Sequence, residues 1–93
     1  MKMRTTKNKK RVRFQVSADP GAEVFVAGTF NNWNPQEFRL KANGTDTLYA
    51  GAVTVSPGEH EYKFVVNGLW MADQANANWR PNEFGSLNSV LQV

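Results

Sequence analysis

Cysteine is absent from this chain, which excludes a disulfide framework and a thiolate metal site. No apolar run approaches the ~20 residues that span a bilayer. The basic N-terminus lacks the apolar segment of a secretion signal, so the cytosol is the expected compartment. There is one histidine, His60, and no His/Asp/Glu group has metal-ligand spacing. No stretch has convincing helical periodicity, so no glycine-rich loop opens a helix to hold phosphate. No metal, cofactor or catalytic residue is therefore expected. By strand phase His60 falls with Tyr62 and Phe64 at the rim of a core, the position of a hydrogen-bonded structural histidine. Glu59 and Glu61 share a strand face on an open sheet. Glycoside hydrolysis needs two carboxyl groups ~5–10 Å apart across a cleft.

What is present suits one small folded domain. The 93 residues are 41% hydrophobic and 12% aromatic, enough for one core and no second lobe. The net charge of +3 is unevenly spread. Residues 1–13 hold seven of the eleven Lys and Arg and no acid, while the other eighty carry four bases against eight acids. Residues 1–11 read as a basic flexible leader and 12–93 as the folded domain. Only the leader could serve nucleic acid.

Asn67-Gly68, set between two apolar β-prone runs, is a two-residue hairpin signal, because a type I′ turn needs positive φ at both central positions. It places Val66 opposite Leu69, Val65 opposite Trp70 and Phe64 opposite Met71. Directly opposed residues share a face. Tyr62, Phe64, Val66, Leu69 and Met71 then form a core face, and Glu61, Lys63, Val65 and Trp70 the other. Further strands are read at Arg11–Ser17, Glu23–Gly28, Phe38–Ala42, Thr47–Val55 and Ser89–Val93. A turn at Asn43-Gly44 joins the third and fourth of these runs. Thr29 to Pro35 and the long Ala72 to Leu87 stretch read as loops. About seven short strands at this spacing imply an all-β, immunoglobulin-like antiparallel sandwich.

Trp70 is thrown outward by the register, diagonal to Lys63. A large ring is seldom left in water without a use. Trp33, among loop asparagines, is either a second exposed ring or an anchor folded back on the core. Trp79 is either exposed or a plug under the long loop. Indole covers the C–H face of a pyranose, while Lys and Asn meet its hydroxyls. The same groups could stack bases of single-stranded nucleic acid, which Glu59, Glu61, Asp73 and Glu83 oppose. A protein-interaction domain with Trp33 and Trp70 in an interface remains an alternative.

Three motifs carry a resemblance: Val26-Ala-Gly-Thr-Phe-Asn-Asn-Trp33, Pro57-Gly-Glu-His-Glu-Tyr-Lys-Phe-Val-Val-Asn-Gly-Leu-Trp70 and Phe84-Gly-Ser-Leu-Asn-Ser-Val-Leu-Gln-Val93. Together they resemble family 48 carbohydrate-binding modules, in particular the glycogen-binding domain of AMP-activated protein kinase β subunits, and the early-set domains of isoamylases. The resemblance implies non-catalytic binding of an α-1,4-glucan of glycogen or starch type, with docking on a glycan-metabolising enzyme or kinase as the alternative. It implies a site of Trp33, Lys63, Trp70, Phe84 and Asn88, with Ser86 as a hydroxyl contact. Phe84 stands where the kinase domains commonly carry leucine, and there it either clamps a sugar or blocks the groove. It implies an α-glucan partner and a glycan-metabolising enzyme as a second partner; no membrane partner is expected, because no apolar run is long enough to cross one.

Overall fold

A computed structural model of the chain describes residues 9–42 and 46–93. The leader up to Asn8 and the Asn43-Gly44 turn lie outside the described residues. The described chain is an antiparallel β-sandwich of eight strands with a single 3₁₀ turn, Thr29–Asn31. The strands are β1 Lys10–Ser17, β2 Val24–Gly28, β3 Phe38–Leu40, β4 Leu48–Val55, β5 Glu59–Val66, β6 Leu69–Met71, β7 Trp79–Pro81 and β8 Leu87–Gln92. The expected runs match within a few residues. β1 begins at Lys10, inside the stretch read as leader.

β1 and β4 form a two-stranded sheet, and the other six strands form the second: five in the order β3-β2-β5-β8-β7, with β6 paired to β5 off that path. The eight-residue β5 is its centre. β2 runs along one edge of β5, and β8 and then β6 pair along its length as well. A bridge pairs Lys41, just past β3, with Ala50 on β4 and so ties the two sheets, with backbone bonds of 3.0 and 2.9 Å.

The core lies between the sheets. Phe14, Tyr49, Val53 and Val55 from the smaller sheet meet Val24, Val26, Leu40, Tyr62 and Phe64 from the larger. Phe14 packs edge-on to Tyr62 at 5.0 Å between ring centres and lies 5.5 Å from Phe30. Strands that alternate apolar and polar residues bury one face each, as β1 does.

The hairpin register is as the turn chemistry requires: Phe64 pairs with Met71, Val65 with Trp70 and Val66 with Leu69. Asn67 and Gly68 have φ of 50° and 83°. Asn67 Oδ1 also accepts a bond from Glu23 N at 2.9 Å, tying the turn to β2. The core face departs from expectation at one residue. Tyr62 and Phe64 are buried, while Leu69 is 69% exposed. Two strands cannot roof six, and the short β6 carries its turn-proximal residue past the cover.

The Ala72 to Leu87 stretch is not all loop. Trp79–Pro81 pairs with β8, Trp79 opposite Ser89 and Pro81 opposite Leu87. Three residues are too few to show a period, and proline spoils a strand signal. At a sheet edge its missing N–H costs no ladder bond.

Candidate functional site

The outward face of the larger sheet carries a cavity of about 590 Å³ lined by Thr29, Trp33, Glu61, Lys63, Trp70, Asn82, Glu83, Phe84, Ser86 and Asn88. All six sequence-expected residues line it, and four separate parts of the chain deliver them.

Trp33 comes from the turn after β2. Asn31 is buried and holds that turn from inside: its Oδ1 accepts from Gly28 N at 2.9 Å, and its Nδ2 donates to Val26 O and Asn34 O, each at 3.3 Å. Asn32 and Trp33 then both take left-handed backbone, with φ of 55° and 58°. Asparagine tolerates that region, whereas tryptophan occupies it at a cost. Trp33 is partly buried at the cavity wall, so the anchor and the exposed ring are one residue.

Lys63 comes from the middle of β5 and Trp70 from β6. Trp70 is 45% exposed, as the register demands. Lys63 is not the free outward ammonium that register alone suggests. It is only 9% exposed, and its Nζ donates to Ser86 Oγ at 2.7 Å. The loop before β8 folds over its stem. An ammonium has three donors, so a bond to Ser86 leaves donors to face the cavity.

Phe84, Ser86 and Asn88 come from that loop and the start of β8. Phe84 is 86% exposed and lies at the cavity rim. The residue that shapes the loop is Asn82, which sequence reasoning passed over. Its Oδ1 accepts from Phe84 N at 2.9 Å and Ser86 N at 3.1 Å. Its Nδ2 donates to Ser86 Oγ at 2.9 Å and Asn88 Oδ1 at 3.0 Å. Asn-x-x-Gly, with Gly85 at φ 80°, was the available signal.

Asn88 is buried, and its Nδ2 donates to Glu61 Oε1 at 2.9 Å. Glu61 Oε2 accepts from Arg80 Nη1 at 2.9 Å, and the same nitrogen reaches Glu59 Oε1 at 2.8 Å. A continuous side-chain network thus runs Glu59, Arg80, Glu61, Asn88, Asn82, Ser86, Lys63. Arg80 holds the Glu59 carboxyl below its usual range, by hydrogen bond first and charge second. Both side chains are about half exposed, at 47% and 45%, so the pair organises the face more than it stabilises the fold.

His60 stands apart. Its Nδ1 lies 2.9 Å from Thr29 Oγ1 and its Nε2 2.9 Å from Ser56 O, both ring nitrogens engaged, as expected of a structural histidine. Among the described residues no group of three His, Cys, Asp or Glu could hold a metal ion. No helix among them is long and apolar enough to cross a membrane. Trp79 is no plug: it is 57% exposed, in a second cavity.

Comparison with known proteins decides the family. Residues 10–93 match the family described as the glycogen recognition site of AMP-activated protein kinase. The chain belongs to this family. It is 32% identical over 73 residues to the 5'-AMP-activated protein kinase subunit beta-1 of Sus scrofa, covering 78% of this chain and 56% of that protein. It is 30% identical over 76 residues to the beta-2 subunits of Homo sapiens and Mus musculus, covering 82% of this chain and 26% and 27% of those proteins. The chain therefore spans about half of the pig relative and about a quarter of the human and mouse ones. These relatives are named as subunits of a kinase.

Proposed function

We propose that this chain is a non-catalytic module that binds α-1,4-glucan of the glycogen type in the cavity between Trp33 and Trp70. The observation that carries this reading is the convergence of two indoles, the Lys63 ammonium and the Ser86 and Asn88 side chains on one open cavity. Indole faces cover the apolar side of glucose rings. The ammonium and hydroxyl serve the hydroxyl rim. Phe84 extends the apolar wall at the rim, the clamp rather than the block. Each stacked ring contributes about 1 kcal/mol beyond area burial, set against the cost of association. Affinity is then on the order of tens of μM to mM.

The family membership supports glycogen as the polymer, and the names of the relatives support a kinase complex as the setting. Isothermal titration of the 93-residue chain with maltoheptaose or β-cyclodextrin tests the reading. Binding heat with a shift in tryptophan fluorescence is expected. Neither signal at millimolar ligand would reject it.

A further inference from the structure

Glu61 puts a carboxylate in the wall of the cavity between Trp33 and Trp70, with its side chain 25% exposed. We infer that Glu61 binds the glucan directly, its two oxygens accepting from the 2- and 3-hydroxyls of one glucose unit. This rests on the glucan-binding reading above and adds an acceptor to that site.

Three observations carry it. The first is placement. Tyr62 and Phe64 are buried in the core, so alternation along β5 turns Glu61 and Lys63 to the outward side together. Two residues apart on one strand, their Cα atoms are about 7 Å from each other. The bond from Lys63 Nζ to Ser86 Oγ leaves ammonium donors over, and Glu61 is the matching acceptor. A sugar hydroxyl both donates and accepts, so a ring lying across β5 serves both groups.

The second is orientation. Glu61 Oε1 accepts from Asn88 Nδ2 and Glu61 Oε2 from Arg80 Nη1, each at 2.9 Å. The carboxylate is therefore fixed through both oxygens before a ligand arrives, and it gives up little rotamer freedom on binding. A carboxylate offers about four lone-pair sites. Each oxygen thus keeps room for a further donor, on a cavity that sugar hydroxyls can fill.

The third is the chemistry of the polymer. Inside an α-1,4-linked chain the free hydroxyls are the 2-, 3- and 6-hydroxyls, and only the first pair is vicinal. A carboxylate takes a donor on each oxygen at once from such a neighbouring pair, by charge-assisted bonds stronger than neutral ones.

The experiment titrates the unchanged chain and its Glu61→Ala variant with maltoheptaose and with a maltoheptaose lacking its 2-hydroxyls. The unchanged chain is expected to bind the deoxy sugar about tenfold more weakly. Glu61→Ala should bind maltoheptaose about tenfold more weakly than the unchanged chain does. In that variant the penalty for the deoxy sugar should shrink to about twofold, because the hydroxyl's partner is already gone. An unchanged maltoheptaose affinity in Glu61→Ala overturns the contact. So does a weakened variant that keeps the full deoxy penalty, which makes Glu61 a support for Asn88 alone. Equal binding of the two sugars by the unchanged chain overturns it too. A second measurement needs no variant and serves if Glu61→Ala does not fold. The carbon-13 resonance of the Glu61 carboxyl should shift with maltoheptaose and by much less with the deoxy sugar. Equal shifts, or none, at ligand levels that move the Trp70 indole resonance overturn the contact. If the unchanged chain does not bind maltoheptaose, the glucan reading itself has failed.

Discussion

The Lys63 ammonium donates to Ser86 Oγ at 2.7 Å, joining the central strand to the loop that closes the cavity. Asn82 Nδ2 shares that acceptor at 2.9 Å. One hydroxyl oxygen therefore holds both a nearly buried cation and the loop's own anchor. Ser86→Ala leaves the ammonium without this partner and should cost about 1–3 kcal/mol of stability. Urea unfolding measures it. Glucan affinity should fall as well, because the loop loses its tie to β5.

Trp70→Ala should abolish glucan binding and leave the fold intact, since the ring is 45% exposed. Titration reads the first effect, and an unchanged dispersed NMR spectrum the second. Loss of that spectrum would mean the ring supports the core.

At Trp33 the backbone and the ring pull in opposite directions. Its φ of 58° is disfavoured for a bulky residue by about 1–2 kcal/mol. Trp33→Gly relieves that cost while losing the contacts of the ring. The melting temperature should change little while glucan binding is lost. A fall in stability as large as for a core truncation, about 3–5 kcal/mol, would contradict this.

Asn82→Ala removes two acceptor and two donor bonds from the loop that presents Phe84, Ser86 and Asn88. Weaker glucan binding should follow, with amide resonance changes confined to residues 82–88. Asn82→Asp should keep the two backbone bonds and lose those to Ser86 and Asn88, giving an intermediate affinity.

Tyr62 sets the alkaline limit of the fold. Its hydroxyl donates to Asp73 Oδ2 at 2.7 Å and accepts from Asn76 Nδ2 at 3.1 Å. Burial first, and the Asp73 carboxylate second, push the phenol far above its ordinary value of 10.0. The unfolded chain ionises near that ordinary value and the folded one does not. The contribution is thus fully present below pH 10.0 and is lost as pH rises above it. Tyr62→Phe should lower stability near neutrality by about 1–3 kcal/mol, because Asp73 loses a donor. It should also flatten the fall between about pH 9 and about pH 12, read from urea midpoints.

Local chemistry was sufficient for the hairpin. Positive φ at Asn67-Gly68 is a property of two adjacent residues, and alternation along a strand is a property of the chain, so the Val65–Trp70 pairing followed without any knowledge of the other strands. The same periodicity indicated an all-β sandwich, with Trp70 outward and Tyr62 and Phe64 inward. Tertiary structure decided what no local rule contains. It set how far the two-stranded sheet reaches, and so left Leu69 in water. It folded the loop around Asn82 over Lys63, turning a surface ammonium into a nearly buried one. It paired the three residues from Trp79 to the edge of β8, where a proline costs nothing. Side-chain phase along a strand is encoded within a few residues. Cover, burial and the closing of a cavity depend on elements far apart in sequence, which meet only once the two sheets have packed.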